Sequence, residues 1–118
     1  MDKEALEDLF RPLGHITTKR MFGGLAVYLD GLCFSIVING EVHLKTDAET
    51  AEIFREAGSR PFIYETKDRA VTVNYWLLPE SAFDDEDELK HWSRMALETA
   101  RKAAAKKPKP KSNKKAAL

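Results

Sequence analysis

The sequence predicts an α+β domain of two layers, with an antiparallel sheet and elements in the order α-β-β-β-β-α-β-β-α. Three observations predict it. The apolar spacing changes from helical to alternating near residue 16 and back near residue 47. Asp30-Gly31 and Asn39-Gly40 are two-residue joints of the kind that favours tight type I′ hairpins, because both central residues need positive φ. A long final segment begins acidic, ends basic and carries one apolar stripe.

Residues 2–13 form the first helix, since Leu6, Leu9, Phe10 and Leu13 share one face. Asp2 suits the N-cap, and Pro12 and Gly14 end the helix. Four strands follow: Ile16–Met21, the weakest signal, then Leu25–Leu29, Leu32–Ile38 and Glu41–Lys45. A second helix is expected over 47–57. Thr46-Asp47-Ala48-Glu49 offers a capping box, Ala51, Phe54 and Ala57 lie along one side with Ile53 beside them, and Gly58 is placed to end it. Pro61–Thr66 and Arg69–Leu78 make a second hairpin around Lys67-Asp68, with Pro61 tolerated as a first strand residue. The last helix runs from about Asp85 to Ala105 and buries Leu89, Trp92, Met95, Ala96, Thr99, Ala100 and Ala103.

The two hairpin joints also imply a register. Leu25, Val27, Leu29, Leu32, Phe34, Ile36 and Ile38 then share one face, which continues to Glu41, His43 and Lys45. Ala26, Tyr28, Cys33, Ser35, Val37, Val42 and Leu44 share the other. Both faces are mostly apolar, so each needs cover. Helices take one, and a second subunit is expected on the other, which makes a homodimer the expected state.

Composition sets the class. The 118 residues support one domain, and a 43% apolar fraction is enough for a core. No apolar run reaches the roughly 18 residues of a membrane span, and the N-terminus lacks a signal-peptide core, so a cytoplasmic protein is expected. One cysteine, Cys33, excludes an internal disulfide and a Cys-based metal cluster.

The formal net charge of zero, from 19 basic and 19 acidic residues, conceals a division. From Arg101 onward there are eight basic residues and no acidic one. The first hundred residues hold the other eleven basic residues and all 19 acidic ones, a net charge of −8. The expected organisation is a domain at 1–105 and a disordered Lys/Pro/Ala-rich tail at 106–118. Lys106, Lys107, Lys109, Lys111, Lys114 and Lys115 are candidates for weak, sequence-independent contact with nucleic acid. A solubilising tail, or one folded back on the acidic body, is the plainer reading.

Lys19-Arg20-Met21-Phe22-Gly23-Gly24, followed by Tyr28-Leu29-Asp30-Gly31-Leu32-Cys33-Phe34 and then Val42-His43-Leu44-Lys45-Thr46-Asp47, resembles the N-terminal domain of the TfoX/Sxy family. The resemblance continues through Pro61-Phe62-Ile63-Tyr64 and Val73-Asn74-Tyr75-Trp76-Leu77-Leu78-Pro79 to Leu89-Lys90-His91-Trp92. It implies a two-layer fold grouped with secretion-chaperone-like domains. It also implies kinship with bacterial regulators of competence gene expression and DNA uptake. No catalytic residue, cofactor or metal follows from it, so a non-enzymatic domain acting on a protein partner is expected.

Candidate binding residues are Arg20, Met21, Phe22, Gly23, Gly24, His43 and Lys45. Gly23-Gly24 lacks the Lys-Ser/Thr ending and the strand–loop–helix setting of a phosphate loop, so a tight strand joint is the simpler reading. Arg20 has the charge to meet an anion, although an ion pair with a nearby carboxylate is expected first. For His43 and Lys45 the leading expectation is a strand at the sheet edge, where lysine discourages aggregation, with a ligand or partner contact second. A small-ligand or enzymatic cleft near Arg20, His43 and Lys45 is the alternative function. Cys33 is expected to be a buried structural residue. Asp84 to Glu88 read as a solvated helix start and not as metal ligands.

Overall fold

Two hairpin turns organise the first half of the molecule. Asp30 and Gly31 have φ of 52° and 79°, and Asn39 and Gly40 have 54° and 77°. These are the left-handed pairs that a two-residue joint requires. The computed structural model describes residues 1–106 apart from Phe22 and Thr66. Phe22, Lys107, Lys109, Lys111, Lys114 and Lys115, and with them nearly all of the expected tail, lie outside the described residues.

The elements are α1 (Lys3–Leu9), a 3-10 turn (Arg11–Leu13), β1 (Thr17–Met21), β2 (Gly24–Leu29), β3 (Leu32–Ile38), β4 (Glu41–Lys45), α2 (Ala48–Glu56), β5 (Pro61–Glu65), β6 (Ala70–Leu77), a second 3-10 turn (Glu80–Phe83) and α3 (Glu86–Lys106). The order is the one expected from the sequence, and the fold is α+β. All six strands form one antiparallel sheet in the spatial order β1-β2-β3-β4-β6-β5. The chain leaves β4, crosses through α2 and returns with β6 against β4, so β5 becomes an edge.

That topology overturns the edge reading for His43 and Lys45. Strand β4 is interior, flanked by β3 and β6. The pairing of β6 with β4 is non-local and leaves no mark in either segment, so hairpin signals alone did not reveal it.

The register also differs from the expectation. A β-bulge interrupts the β2–β3 ladder: Tyr28 pairs with Cys33, but Val27 pairs with Ser35, leaving Phe34 as the extra residue. Phe34 and Ser35 are both fully buried. Ser35 stands opposite Val27 and Leu44, both members of the main core, and its hydroxyl donates to the His43 carbonyl at 2.7 Å. Beyond the bulge the alternation is reversed. Val37 joins Leu25, Val27 and Val42 on the helix side, while Ile36 and Ile38 move to the other side with Ala26.

The helix side is the core. Phe10 meets Phe34 edge-on at 5.2 Å between ring centroids, and Phe54 of α2 meets Trp92 of α3 at 4.7 Å. Leu6, Ile16, Leu44, Leu78 and Leu89 fill the space between. The stripe of α3 follows the expected spacing, with Ser93 and half-buried Leu97 added. Ser93 is fully buried where the helix approaches the sheet, and its hydroxyl has no partner among the described residues. On α2, Phe54 is buried, but Ala57, expected along the same side, faces solvent, as does Ile53 (40% exposed). The short helix has room for only one buried anchor.

The caps are local and legible. Asp2 accepts from the Ala5 amide at 2.9 Å. For α2 the cap is Asp47 and not Thr46: its carboxylate accepts from the Thr50 amide at 2.8 Å, and the Thr50 hydroxyl accepts from the Asp47 amide at 2.9 Å. Gly58 (φ 86°) closes α2 with its amide on Arg55 O and the Ser59 amide on Phe54 O, a Schellman arrangement. Asp47→Ala is expected to lower stability by about 1 kcal/mol. The hydrogen bond from the Thr50 amide holds the Asp47 carboxyl below its usual pKa of 3.8. The cap's contribution is therefore present at neutral pH and lost as pH falls through that lowered value. Urea titrations of both forms at neutral pH check the difference.

Candidate functional site

The candidate residues fall into two groups that the fold keeps apart. Arg20, Met21, Gly23 and Gly24 gather at the end of the β1–β2 hairpin. His43 and Lys45 lie on β4, three strands away. At about 4.8 Å per strand that is roughly 14 Å. Arg20 pairs with Leu25, on the helix side, whereas His43 pairs with Ile36 on the opposite side. The structure therefore does not bring Arg20 together with His43 and Lys45 in one cleft.

The first group borders a shallow cleft of about 630 Å³, shared with Met1, Leu25, Val37, Asn39 and Gly40. Gly24 is fixed by contact: a Cβ there would lie 1.9 Å from the Val37 carbonyl oxygen. Gly23 is fixed by conformation, with φ of 77° and open space around it. The Gly-Gly pair is thus a tight strand joint. Among the described residues no carboxylate forms an ion pair with Arg20. The ion pair expected from the sequence is absent there.

The second group belongs to the sheet face that carries no helix. Ala26, Ile36 and Ile38 are buried there under half-buried Met21, Tyr28, Cys33, Phe62 and Tyr75. This face is roofed by the side chains of its own strands. Lys45 lies with its ammonium 5.2 Å from the Tyr75 ring centroid, and Lys19 lies 5.6 Å from that of Tyr28. Both ammonium groups lie over aromatic rings, a cation–π arrangement.

Cys33 is half-buried, not the fully buried residue expected. Its sulfur is 3.7 Å from the Tyr75 hydroxyl. Burial, and next the neighbouring Cys33, raise the Tyr75 phenol far above its usual range, so Tyr75 stays neutral and able to donate.

His43 is 3% exposed, its ring 5.1 Å from that of Phe62, and its Nδ1 has no hydrogen-bond partner among the described residues. Burial lowers its pKa below 6.5, against a partly compensating attraction from Glu41. Between the folded value and 6.5 the unfolded chain binds more protons, so His43 removes stability as pH falls below about 6.5 and has no such effect above it. Going from about pH 7.5 to about pH 5.5, the denaturation midpoint of the natural chain is expected to fall more than that of His43→Gln.

Among the described residues no group of three or more His, Cys, Asp or Glu is placed to hold a metal ion, and no helix is long and apolar enough to cross a membrane. The arrangement offers two surfaces: a turn cleft with a guanidinium that has no ion pair among the described residues, and an aromatic face with two cations over its rings.

A family model described as the TfoX N-terminal domain matches residues 8–100. The DNA transformation protein TfoX1 of Aliivibrio fischeri is 28% identical over 78 residues, covering 66% of this chain and 37% of that protein. Protein Sxy of Escherichia coli is 26% identical over 96 residues, covering 81% of this chain and 46% of that protein. The chain spans less than half the length of these curated relatives.

Proposed function

This chain belongs to the TfoX N-terminal domain family, and on that premise we propose that it is a cytoplasmic regulatory domain of bacterial DNA transformation, acting through protein contacts and not through catalysis. The observation that carries this reading is the helix-free sheet face. Half-buried Tyr28, Phe62 and Tyr75 with the cations Lys19 and Lys45 form a surface suited to an apolar, partly acidic protein partner. The same reading includes self-association of the chain as a homodimer. The similarity to DNA transformation protein TfoX1 supports the biological setting. Disrupting the gene in its host tests it: transformation frequency and competence-gene transcripts are expected to fall and to recover when the gene is restored. Unchanged transformation after disruption contradicts the assignment.

The charge division in the sequence favours one further role. Eight cations and no acid from Arg101 onward give the end of the chain the composition of a phosphate-backbone binder. Removing residues 106–118 is expected to shift the melting temperature by less than about 2 °C, since about 1 kcal/mol would move it by about 4–8 °C. DNA binding by the full chain is expected to fall steeply between about 50 and 200 mM salt and to vanish on truncation. Salt-insensitive binding would assign it to the folded domain.

A further inference from the structure

Among the described residues the sheet ends at two edge strands, β1 and β5, and they differ in kind. Strand β1 reads Thr-Thr-Lys-Arg-Met, with two cations on five residues, the usual protection of an exposed edge. Strand β5 reads Pro-Phe-Ile-Tyr-Glu and has no cation. Its proline is the first residue, so the four that follow keep their amide hydrogens. Ile63 is 49% exposed and Tyr64 41% exposed, and they are neighbours on this edge. An apolar edge strand is a template for another strand.

We propose that β5 is the seam of a homodimer, pairing antiparallel with β5 of a second copy about a two-fold axis through Ile63. This rests on the homodimer reading above and relocates it. The sequence placed the second copy over a sheet face, whereas that face is already partly roofed by its own side chains.

The strand is self-complementary in this register. Of registers centred on a β5 residue, this one alone pairs all five. Ile63 meets Ile63 of the second copy, and Phe62 meets Tyr64, an aromatic pair formed twice. Glu65 meets Pro61, so no like charges face each other in this register. Centring on Glu65 would set two carboxylates directly opposite each other. Phe62 packs on the Ala26–Ile36–Ile38 cluster, so pairing at this seam extends the aromatic face of one sheet into the next. Five residues make a short seam, and the dimer is accordingly weak and concentration-dependent.

Disulfide trapping tests the seam and its register. In the full chain carrying Cys33→Ser, Ile63→Cys is compared with Glu65→Cys under diamide oxidation. Both positions are exposed, so neither change disturbs the core. Antiparallel partners lie about 4.5–5.5 Å apart at Cα, within disulfide range. Two copies of residue 65 lie about 14 Å apart in the same register. Ile63→Cys is expected to give linked dimer at least tenfold faster than Glu65→Cys, and Ile63→Lys in the natural chain to reduce the light-scattering mass to that of a monomer. Equal trapping rates with a dimeric mass kept by Ile63→Lys would overturn the seam while leaving the homodimer standing. A monomeric mass for the natural chain at every concentration would overturn both.

Discussion

Trp92→Ala is expected to destabilise the domain by about 3–5 kcal/mol, the usual cost of deleting a large buried aromatic. Trp92 is 6% exposed and joins three parts of the structure. Its ring packs on Phe54, which is the one buried residue of α2. Its indole nitrogen donates to Glu88 Oε1 at 3.3 Å, and the same oxygen accepts from Ser81 of the turn before α3. Truncation leaves a cavity under α2 that this short helix cannot fill by moving, since its other apolar side chains are half-buried or exposed. Trp92→Phe keeps most of the ring contact and should recover most of the loss. Urea denaturation of the three chains gives the values. A loss below about 1 kcal/mol for Trp92→Ala would mean that α2 is not held through this contact.

The second large effect is expected at Gly24. A methyl group there meets the Val37 carbonyl at 1.9 Å, and that atom belongs to a central strand. No rotamer relieves a collision with backbone, so either the β2–β3 ladder shifts or β1 detaches. The expected cost is about 3 kcal/mol, at the upper end of overpacking penalties. Gly23→Ala is the control. Its Cβ meets nothing within 4 Å, and only the positive φ opposes it, at about 1–2 kcal/mol. A larger loss at Gly23 than at Gly24 would contradict the packing shown here.

Particular residues show what the sequence made legible. The hairpins at Asp30-Gly31 and Asn39-Gly40 were readable because positive φ restricts residue choice at single positions. The apolar stripe of α3 was readable because its period repeats over several turns. The bulge at Phe34 was not, because an extra residue within an apolar run leaves the pattern apolar on both faces. That one residue decides which face Ile36 and Ile38 occupy. The interior place of β4 depends on a pairing with β6 across some thirty residues, which local pattern does not encode. The site was legible in pieces. Arg20, Met21, Gly23 and Gly24 do line one cleft, but Asn39 and Gly40 complete it from a hairpin that attracted notice only for its turn chemistry. His43 and Lys45 share a strand with each other and a face with Tyr75, whose part depended on the same long-range pairing.

The helix-free face is the surface through which the domain is proposed to work. Phe62 is half-buried on that face, beside His43 and at the margin of the Ala26–Ile36–Ile38 cluster. The most direct measurement is transformation frequency in a host whose own copy of the gene is disrupted and replaced by the double variant Tyr28→Lys, Phe62→Lys. Circular dichroism melts of the purified variant establish that it is folded. Transformation is expected to stay at the disrupted level while the natural chain restores it. Full restoration by the folded variant would contradict the claim that this face carries the function.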